Sequence, residues 1–392
     1  MNVSKEIRGV LLMNASSNII FNFIGIFVNL YIWEQGRSIF DVTWFNLILF
    51  CMWGISFTYG AKLLMRYSTK LLIRIIAICG AATFLLLSFL HLDNRMLWIA
   101  IIAIPIGIMW GFYAIAQNIS LSYLGKGEDF DDYFSWASLI GQAVSIINPI
   151  FFAVVIKLIG YSGSFLLMFL FVTLLLIVSF YLPHITISNE KEPLFAKFSI
   201  KQLFSYSQIR WILPSCLAAG VFLQFQGIFA LLFTFSVSED KLIIALLNVG
   251  YACATIGAML IKRKLAASEG MVLTIGMIFI SVGFLITLYP HAPILVLSNL
   301  LTTIGMFYFG TIWNTRQFNL IVKHTKMEQV RILIWREWFL VFARIVMLLL
   351  ILTVKDFHGI TFIALMVFAL VSALIIPYFS SRSEVRSEKA LK

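Results

Sequence analysis

Residues 11–33 read LLMNASSNIIFNFIGIFVNLYIW, and they contain an apparent contradiction. The segment is apolar and exceeds the roughly 20 residues that a helix needs to cross a bilayer, yet it carries Asn14, Asn18, Asn22 and Asn29. At about 100° per residue, the last three lie about 40°, 80° and 60° from Asn14 around an α-helix. The four carboxamides are therefore predicted to form one polar stripe along the helix.

Such a stripe must avoid the lipid, because a carboxamide in hydrocarbon leaves its donors and acceptors unpaired at a cost of several kcal/mol. One interpretation is that the asparagines form hydrogen bonds between helices. The other is that they line an aqueous cavity, and the alignment of four of them favours this second interpretation.

The rest of the chain is equally apolar. Of its 392 residues, 61% are hydrophobic and 12% are charged, and the mean hydropathy is +0.97. Soluble domains have about 25% charged residues, so most of this surface is predicted to face lipid. Twelve apolar segments are candidate transmembrane helices: 10–33, 42–64, 71–91, 96–122, 134–157, 163–183, 210–236, 242–262, 270–289, 293–319, 333–354 and 358–379. The predicted fold class is an all-α integral membrane protein.

The distribution of charge predicts the topology. The net charge is +11, and with a cytoplasmic N-terminus the inner segments hold 21 lysines and arginines against 5 in the outer loops. This asymmetry is the positive-inside pattern, which places both termini in the cytoplasm. The basic residues form no contiguous face of the kind that binds nucleic acid, so we expect no nucleic-acid partner.

The chain is predicted to consist of two halves. We expect an N-terminal six-helix bundle (1–183), a cytoplasmic linker (184–209), a C-terminal six-helix bundle (210–379) and a cytoplasmic tail (380–392). Within the linker, apolar residues alternate with Lys197 and Lys201, which is consistent with either a short amphipathic helix on the membrane surface or an ordinary linker.

Two sequence echoes indicate a duplicated unit. GAKLLMRYSTKLL from Gly60 matches GAMLIKRKLAASE from Gly257, at an offset of 197 residues. GIMWGFYAIAQN from Gly107 matches GMFYFGTIWNTR from Gly305, at an offset of 198.

Twelve spans in two halves, with a basic turn after the second span, resemble the major facilitator superfamily of transporters. Gly60, Arg66 and Lys70 match the signature of that turn, although its acidic residue is missing. In the fifth span, GQAVSIINPIF resembles the exporter motif of the superfamily through Gly141 and Pro149, with Asn148 in place of a glycine.

The resemblance implies two six-helix bundles around a central site, lined by the first, fourth, seventh and tenth spans. Polar and aromatic residues recur at helical spacing in these spans, a combination that suits a ligand pocket. The resulting candidate substrate-binding residues are Asn18, Asn22, Asn29, Tyr113, Gln117, Gln224, Tyr308, Thr311, Thr315 and Arg344.

Charged residues inside the eleventh span are candidates for coupling. Glu337 and Arg344 lie seven residues apart, about 10 Å along one face of a helix, and a charge at this depth marks function. Arg344 is predicted to pair with Glu337, to bind an anionic solute group, or to shift the pKa of a proton-carrying acid. Glu337 is the candidate proton carrier. Arg316, with the basic turn of Gly60, Arg66 and Lys70, completes the coupling or gating set.

The predicted function is secondary transport of a small amphipathic or anionic solute, coupled to protons, with export favoured. Sodium coupling, a flippase for lipids or lipid-linked sugars, and a non-transporting receptor or immunity protein are the alternatives. No nucleotide-binding loop, metal motif or catalytic pairing is present in the sequence, so we expect no enzyme, cofactor or metal. We expect a monomer in a bacterial cell membrane, with the lipid bilayer and a small-molecule substrate as its partners.

Overall fold

The computed structural model describes residues 5–90, 92–124, 128–182, 184–187, 194–195, 199–205, 209–264 and 268–389. All regular secondary structure in these ranges is helical. The chain divides into two compact units, residues 1–194 (unit 1) and 195–392 (unit 2).

The described residues of unit 1 form six helices and one π-helical turn. Its elements are α1 (Lys5–Phe23), the π turn (Ile24–Val28), α2 (Asn29–Gly36), α3 (Ile39–Leu64), α4 (Thr69–Phe89), α5 (Arg95–Leu124) and α6 (Glu128–Tyr181). α1 packs against α6, and α3 packs against α5, while α4 contacts both α5 and α6.

In the described part of unit 2 there are seven helices. They are α7 (Ile200–Ser205), α8 (Ile209–Val237), α9 (Lys241–Lys264), α10 (Glu269–Ile286), α11 (Ala292–Ile321), α12 (Lys326–Ile351) and α13 (Ile360–Lys389). α8 packs against α11, α12 and α13, and α10 packs against α11. α13 continues helically into the segment that was predicted as a tail.

Ten helices in the described part of the chain are long and apolar enough to cross a bilayer, which makes this a multi-pass membrane protein. Twelve spans were predicted, and two features of the chain account for the difference. One apolar stretch of 46 residues, Trp136–Tyr181, counts as a single helix although non-helical Gly160 interrupts it. α12 carries Arg331, Arg336, Glu337 and Arg344, so it is not apolar enough to be counted.

The π turn changes the geometry of the first span. It takes one more residue than an α-helical turn, so it rotates the residues that follow by about 100° relative to a continuous α-helix. The prediction of one stripe is therefore wrong for Asn29, which is rotated away from Asn18 and Asn22. Asn29 instead stabilises the turn, because its Nδ2 donates to the carbonyl oxygens of Gly25 at 3.0 Å and Ile24 at 3.4 Å.

Small residues bring helices of unit 1 close together. A Cβ atom added at Gly111 on α5 would lie 2.5 Å from the carbonyl oxygen of Trp53 and 2.9 Å from the backbone nitrogen of Phe57, both on α3. Helices in lipid associate through such close backbone packing. Gly111 therefore sets the distance between α3 and α5.

The start of the predicted linker is bound to unit 1. The backbone nitrogen of Thr69 donates to the carbonyl oxygen of Ile185 at 3.0 Å, and that of Ile187 donates to Leu64 at 2.9 Å. Of the predicted amphipathic segment, Lys197 and Phe198 lie outside the described residues. α7 forms a helix of six residues within it.

Candidate functional site

Asn14 and Asn18 belong to a hydrogen-bonded chain in unit 1. Asn14 is buried, and its Nδ2 donates to the hydroxyl of Tyr113 on α5 at 3.0 Å. Asn18 is partly exposed, and its Nδ2 donates to Oδ1 of Asn14 at 2.9 Å. The buried Asn14 thus links α1 to α5 and holds Asn18 in place.

Asn22 is held by a residue of α6. Nδ2 of Asn148 donates to Oδ1 of Asn22 and to the carbonyl oxygen of Ile19, at 3.0 Å in both cases. Asn148 is buried, whereas Asn22 is partly exposed. Asn14 and Asn148 therefore join helices, while Asn18 and Asn22 border open space.

That open space is a groove between α1 and α6, with a volume of about 340 Å³. Asn18 and Asn22 form its α1 side. Its α6 side is formed by Ser138, Gly141, Gln142, Val144 and Ser145. Five of its seven described lining residues are uncharged polar residues, and none of these seven is charged. We call it the amide groove.

The α6 side of the groove was not predicted. Ser138, Gln142, Ser145 and Asn148 recur every three or four residues, which is the spacing of one face of a helix. This periodicity was available in the sequence, but the segment was interpreted only through its resemblance to an exporter motif.

The other predicted residues of unit 1 have different surroundings. Asn29 is buried and accepts a hydrogen bond from Nδ2 of Asn46 at 3.0 Å. Gln117 donates from Nε2 to the hydroxyl of Tyr133 at 3.1 Å. Tyr113 is 9% exposed, and its ring lies in a T-shaped contact with that of Phe21, with the two ring centroids 4.9 Å apart.

The basic turn between α3 and α4 contacts the end of α6. Lys70 Nζ donates to the carbonyl oxygen of Phe180 at 3.2 Å, while Arg66 is exposed. A Cβ atom at Gly60 would lie 2.7 Å from Cγ2 of Ile115 and 2.9 Å from Phe112, so this glycine, like Gly111, lies at the contact of α3 with α5.

The candidates on α8 and α11 of unit 2 do not form one group. Gln224 is buried on α8, and Thr315 is partly exposed on α11. The hydroxyl of Tyr308 donates to the carbonyl oxygen of Ala258 at 3.2 Å. Thr311 accepts from Nζ of Lys262 at 3.2 Å. Tyr308 and Thr311 therefore both connect α11 to α9.

A buried polar cluster surrounds Arg336 on α12. Its Nε donates to Oε1 of Gln317, and its Nη2 donates to Oδ1 of Asn314 at 3.0 Å. The guanidinium also lies 5.4 Å from the ring centroid of Trp313, close enough for a cation–π interaction. We call Asn314, Gln317, Arg336 and Glu337 the arginine cluster.

Glu337 and Arg344 occupy α12 in and near this cluster. Glu337 is buried, and its carboxylate lies 3.9 Å from Nη1 of Arg336. Arg344 is partly buried, two helical turns further along. Arg316 pairs with Glu269 through a contact of 2.9 Å. Arg336 was not among the candidate residues named from the sequence, and its side chain is the centre of the cluster.

Cysteine and metal chemistry are not indicated in the described residues. Cys51, Cys79, Cys216 and Cys253 are free thiols, and among the residues with described positions no group of three His, Cys, Asp or Glu side chains could hold a metal ion.

Sequence comparison gives distant relatives. No protein-family model matches the chain. The uncharacterized protein YqgE of Bacillus subtilis (strain 168) is 23% identical over 346 residues, which cover 84% of this chain and 77% of the relative. An uncharacterized protein in the sodM 3' region of Geobacillus stearothermophilus is 24% identical over 125 residues, 32% of this chain and 58% of that protein.

Solved structures resemble the chain along nearly its whole length. A POT family transporter in complex with a thioalcohol-conjugated peptide has a TM-score of 0.73 at 13% identity, over 96% of both chains. A bacterial homologue of the iron transporter ferroportin, in its outward-facing state, has a TM-score of 0.70 at 15% identity, over 97% of this chain and 98% of that one. The nucleoside transporter NupG has a TM-score of 0.60 at 15% identity, over 97% and 99%.

These similarities define a class of fold. The chain has the fold of major facilitator transporters, as the resemblance in its sequence implied. By their names, the solved neighbours are transporters.

Proposed function

We propose that this protein is a secondary active transporter, which moves a small amphipathic or anionic solute across the cell membrane by alternating access. The observation that carries the proposal is the amide groove, a polar space of about 340 Å³ bordered by two helices of a membrane-embedded unit. Uncharged amides and hydroxyls are costly to keep in a membrane, and a path for a polar solute gives them a function.

The fold supports transport but leaves the cargo open, because one fold serves many functions. By their names, the solved neighbours include a transporter in complex with a conjugated peptide, a homologue of an iron transporter and a nucleoside transporter. The solute of this chain must therefore be inferred from its own residues. Arg344 is the proposed contact for an anionic group, on α12 of unit 2.

The energy source is proposed to be a proton gradient. Glu337 is the proposed carrier because it is a carboxylate buried inside a helix of unit 2, 3.9 Å from a guanidinium nitrogen of Arg336. A nearby cation stabilises the charged carboxylate that remains after the proton leaves. Export is the proposed direction, and both termini are proposed to lie in the cytoplasm.

Flux measurements test the proposal. Purified protein would be reconstituted in liposomes, and a solute library would be screened under an imposed proton gradient, an imposed sodium gradient and no gradient. We expect accumulation of at least one solute under the proton gradient and only equilibration without it. Accumulation driven by sodium alone would contradict the coupling, and a protein that binds solutes but moves none would be a receptor.

A further inference from the structure

We infer that the amide groove binds an uncharged hydrogen-bonding group of the solute, an amide or a pair of hydroxyls, between Asn18 and Asn22. This inference rests on the proposed function, because the group belongs to the transported solute. Any charged group of the solute would then be bound by residues outside this groove.

The composition of the groove carries the first step. Its polar lining consists of Asn18, Asn22, Ser138, Gln142 and Ser145, with no acidic or basic side chain among the seven lining residues that the structure describes. Removing a charged group from water without a counter-charge costs far more than removing an amide or hydroxyl that is hydrogen-bonded. The groove therefore favours a neutral group.

The second step is the fixed orientation of Asn22. The carbonyl oxygen of Ile19 can only accept a hydrogen bond, so Asn148 must present its Nδ2 on that side. The same Nδ2 reaches Asn22 at 3.0 Å, and this contact must end on the oxygen of Asn22. Among the described residues, the contacts of Asn22 thus leave its Nδ2 donor for the groove.

Asn18 is oriented in the opposite sense. Its Nδ2 donates to Oδ1 of Asn14, and Nδ2 of Asn14 donates to the hydroxyl of Tyr113. Within the described part of the chain, these contacts leave Oδ1 of Asn18 as an acceptor for the groove. Buried amides therefore hold both groove asparagines in place, so little ordering is needed when a ligand binds.

The third step is the match to a ligand. Asn18 and Asn22 lie one helical turn apart, about 6 Å along the axis, and offer one acceptor and one donor. An amide has both partners, an N–H and a carbonyl oxygen, and two neighbouring hydroxyls can serve equally. A lone carboxylate has no donor and a lone ammonium no acceptor, so neither satisfies both asparagines.

Equilibrium binding to purified, detergent-solubilised protein tests this without any gradient. The probes are N-acetylalaninamide for an amide, glucose for hydroxyls, propionate for an anion and propylammonium for a cation. We expect the first or second to bind at least tenfold more tightly than propylammonium, and any binding of propionate, which the proposed function assigns to Arg344, to be unchanged in Asn18→Leu. Which of the two neutral probes binds distinguishes an amide-bearing from a polyhydroxylated solute.

Asn22→Asp is the decisive variant. The aspartate keeps an oxygen that accepts from Asn148, but it removes the donor and adds a negative charge. We expect neutral probes to bind at least tenfold more weakly and propylammonium to bind more tightly than in the wild type. Asn18→Leu should weaken the neutral probes without any gain for the cation.

Asn248→Asp is the matched control. Asn248 lies on α9 of unit 2, where its Nδ2 donates to the carbonyl oxygen of Ile244 on its own helix at 2.8 Å. We expect this variant to bind all four probes as the wild type does.

Three results would overturn the inference: no binding of either neutral probe, equal binding of propylammonium, or unchanged neutral binding in Asn22→Asp. The liposome assay separates its failure from that of the proposed function. Gradient-driven flux that is unchanged when Asn18 and Asn22 are substituted would reject the inference but support the proposed transport function. Binding that depends on these asparagines, without flux under any gradient, would support the inferred binding of a neutral group and reject the proposed transport function.

Discussion

Arg95 and Asp41 form a hydrogen-bonded ion pair between α5 and α3, with Nε of the arginine 2.6 Å from Oδ2 of the aspartate. The other guanidinium nitrogens reach back to the first span. Nη1 donates to Oε1 of Gln35 at 3.1 Å, and Nη2 donates to the carbonyl oxygen of Ile32 at 2.8 Å. One side chain therefore fastens the ends of three helices.

The first prediction concerns this contact. Arg95→Lys should lower the free energy of unfolding by about 1–2 kcal/mol, because lysine cannot reach three acceptors in one plane. The exposed fraction of Arg95, 32%, keeps the effect modest. Thermal unfolding in detergent measures the change, and a double-mutant cycle with Asp41→Asn isolates the pair. Strictly additive effects of the two substitutions would show that Arg95 and Asp41 have no interaction energy.

The second prediction compares two glycines on corresponding helices. Gly111→Ala should destabilise unit 1 by about 1–3 kcal/mol, because the new methyl group meets the backbone of α3. Gly310→Ala is the control, since a Cβ atom at Gly310 on α11 has no neighbour within 4 Å. It should be neutral or stabilising by up to about 1 kcal/mol, because alanine favours a helix more than glycine does. Equal losses of thermal stability would refute the packing argument.

The third prediction concerns the arginine cluster. Arg336→Lys should cost about 2–4 kcal/mol, since lysine retains the buried charge but cannot bond Gln317 and Asn314 as a planar fork. Arg263→Lys, at an exposed position on α9, is the control and should change stability little. Chemical denaturation of both variants measures the difference. A loss in Arg336→Lys no larger than in the control would show that the cluster does not stabilise unit 2.

The fourth prediction concerns proton coupling. Glu337→Gln keeps the size of the side chain but cannot release a proton, so accumulation under a proton gradient should fall at least tenfold. Exchange of labelled for unlabelled solute, which needs no net proton movement, should persist. Asp93→Asn, at an exposed position between α4 and α5, should leave both rates unchanged. Full gradient-driven accumulation in Glu337→Gln would remove Glu337 as the carrier.

Part of the amide groove could be predicted from the sequence. The asparagine spacing predicted a polar face on the first span, and Asn18 and Asn22 do border a groove. The distinction between them and Asn14 was not predictable, because all three have the same side chain and similar angles around the helix. Asn14 is buried because Tyr113, 99 residues away in sequence, lies against it.

The sequence determined the class of protein and the approximate positions of its helices. Hydropathy and helical length are local properties, and lipid imposes the same requirement on every segment that crosses it. The π turn that rotates Asn29, the α6 side of the amide groove and the acceptors of Arg336 were decided only by the tertiary structure. Each depends on a hydrogen bond or a backbone contact with a helix distant in sequence, or on a local departure from α-helical geometry. The spacing of apolar residues along the chain predicts neither of these.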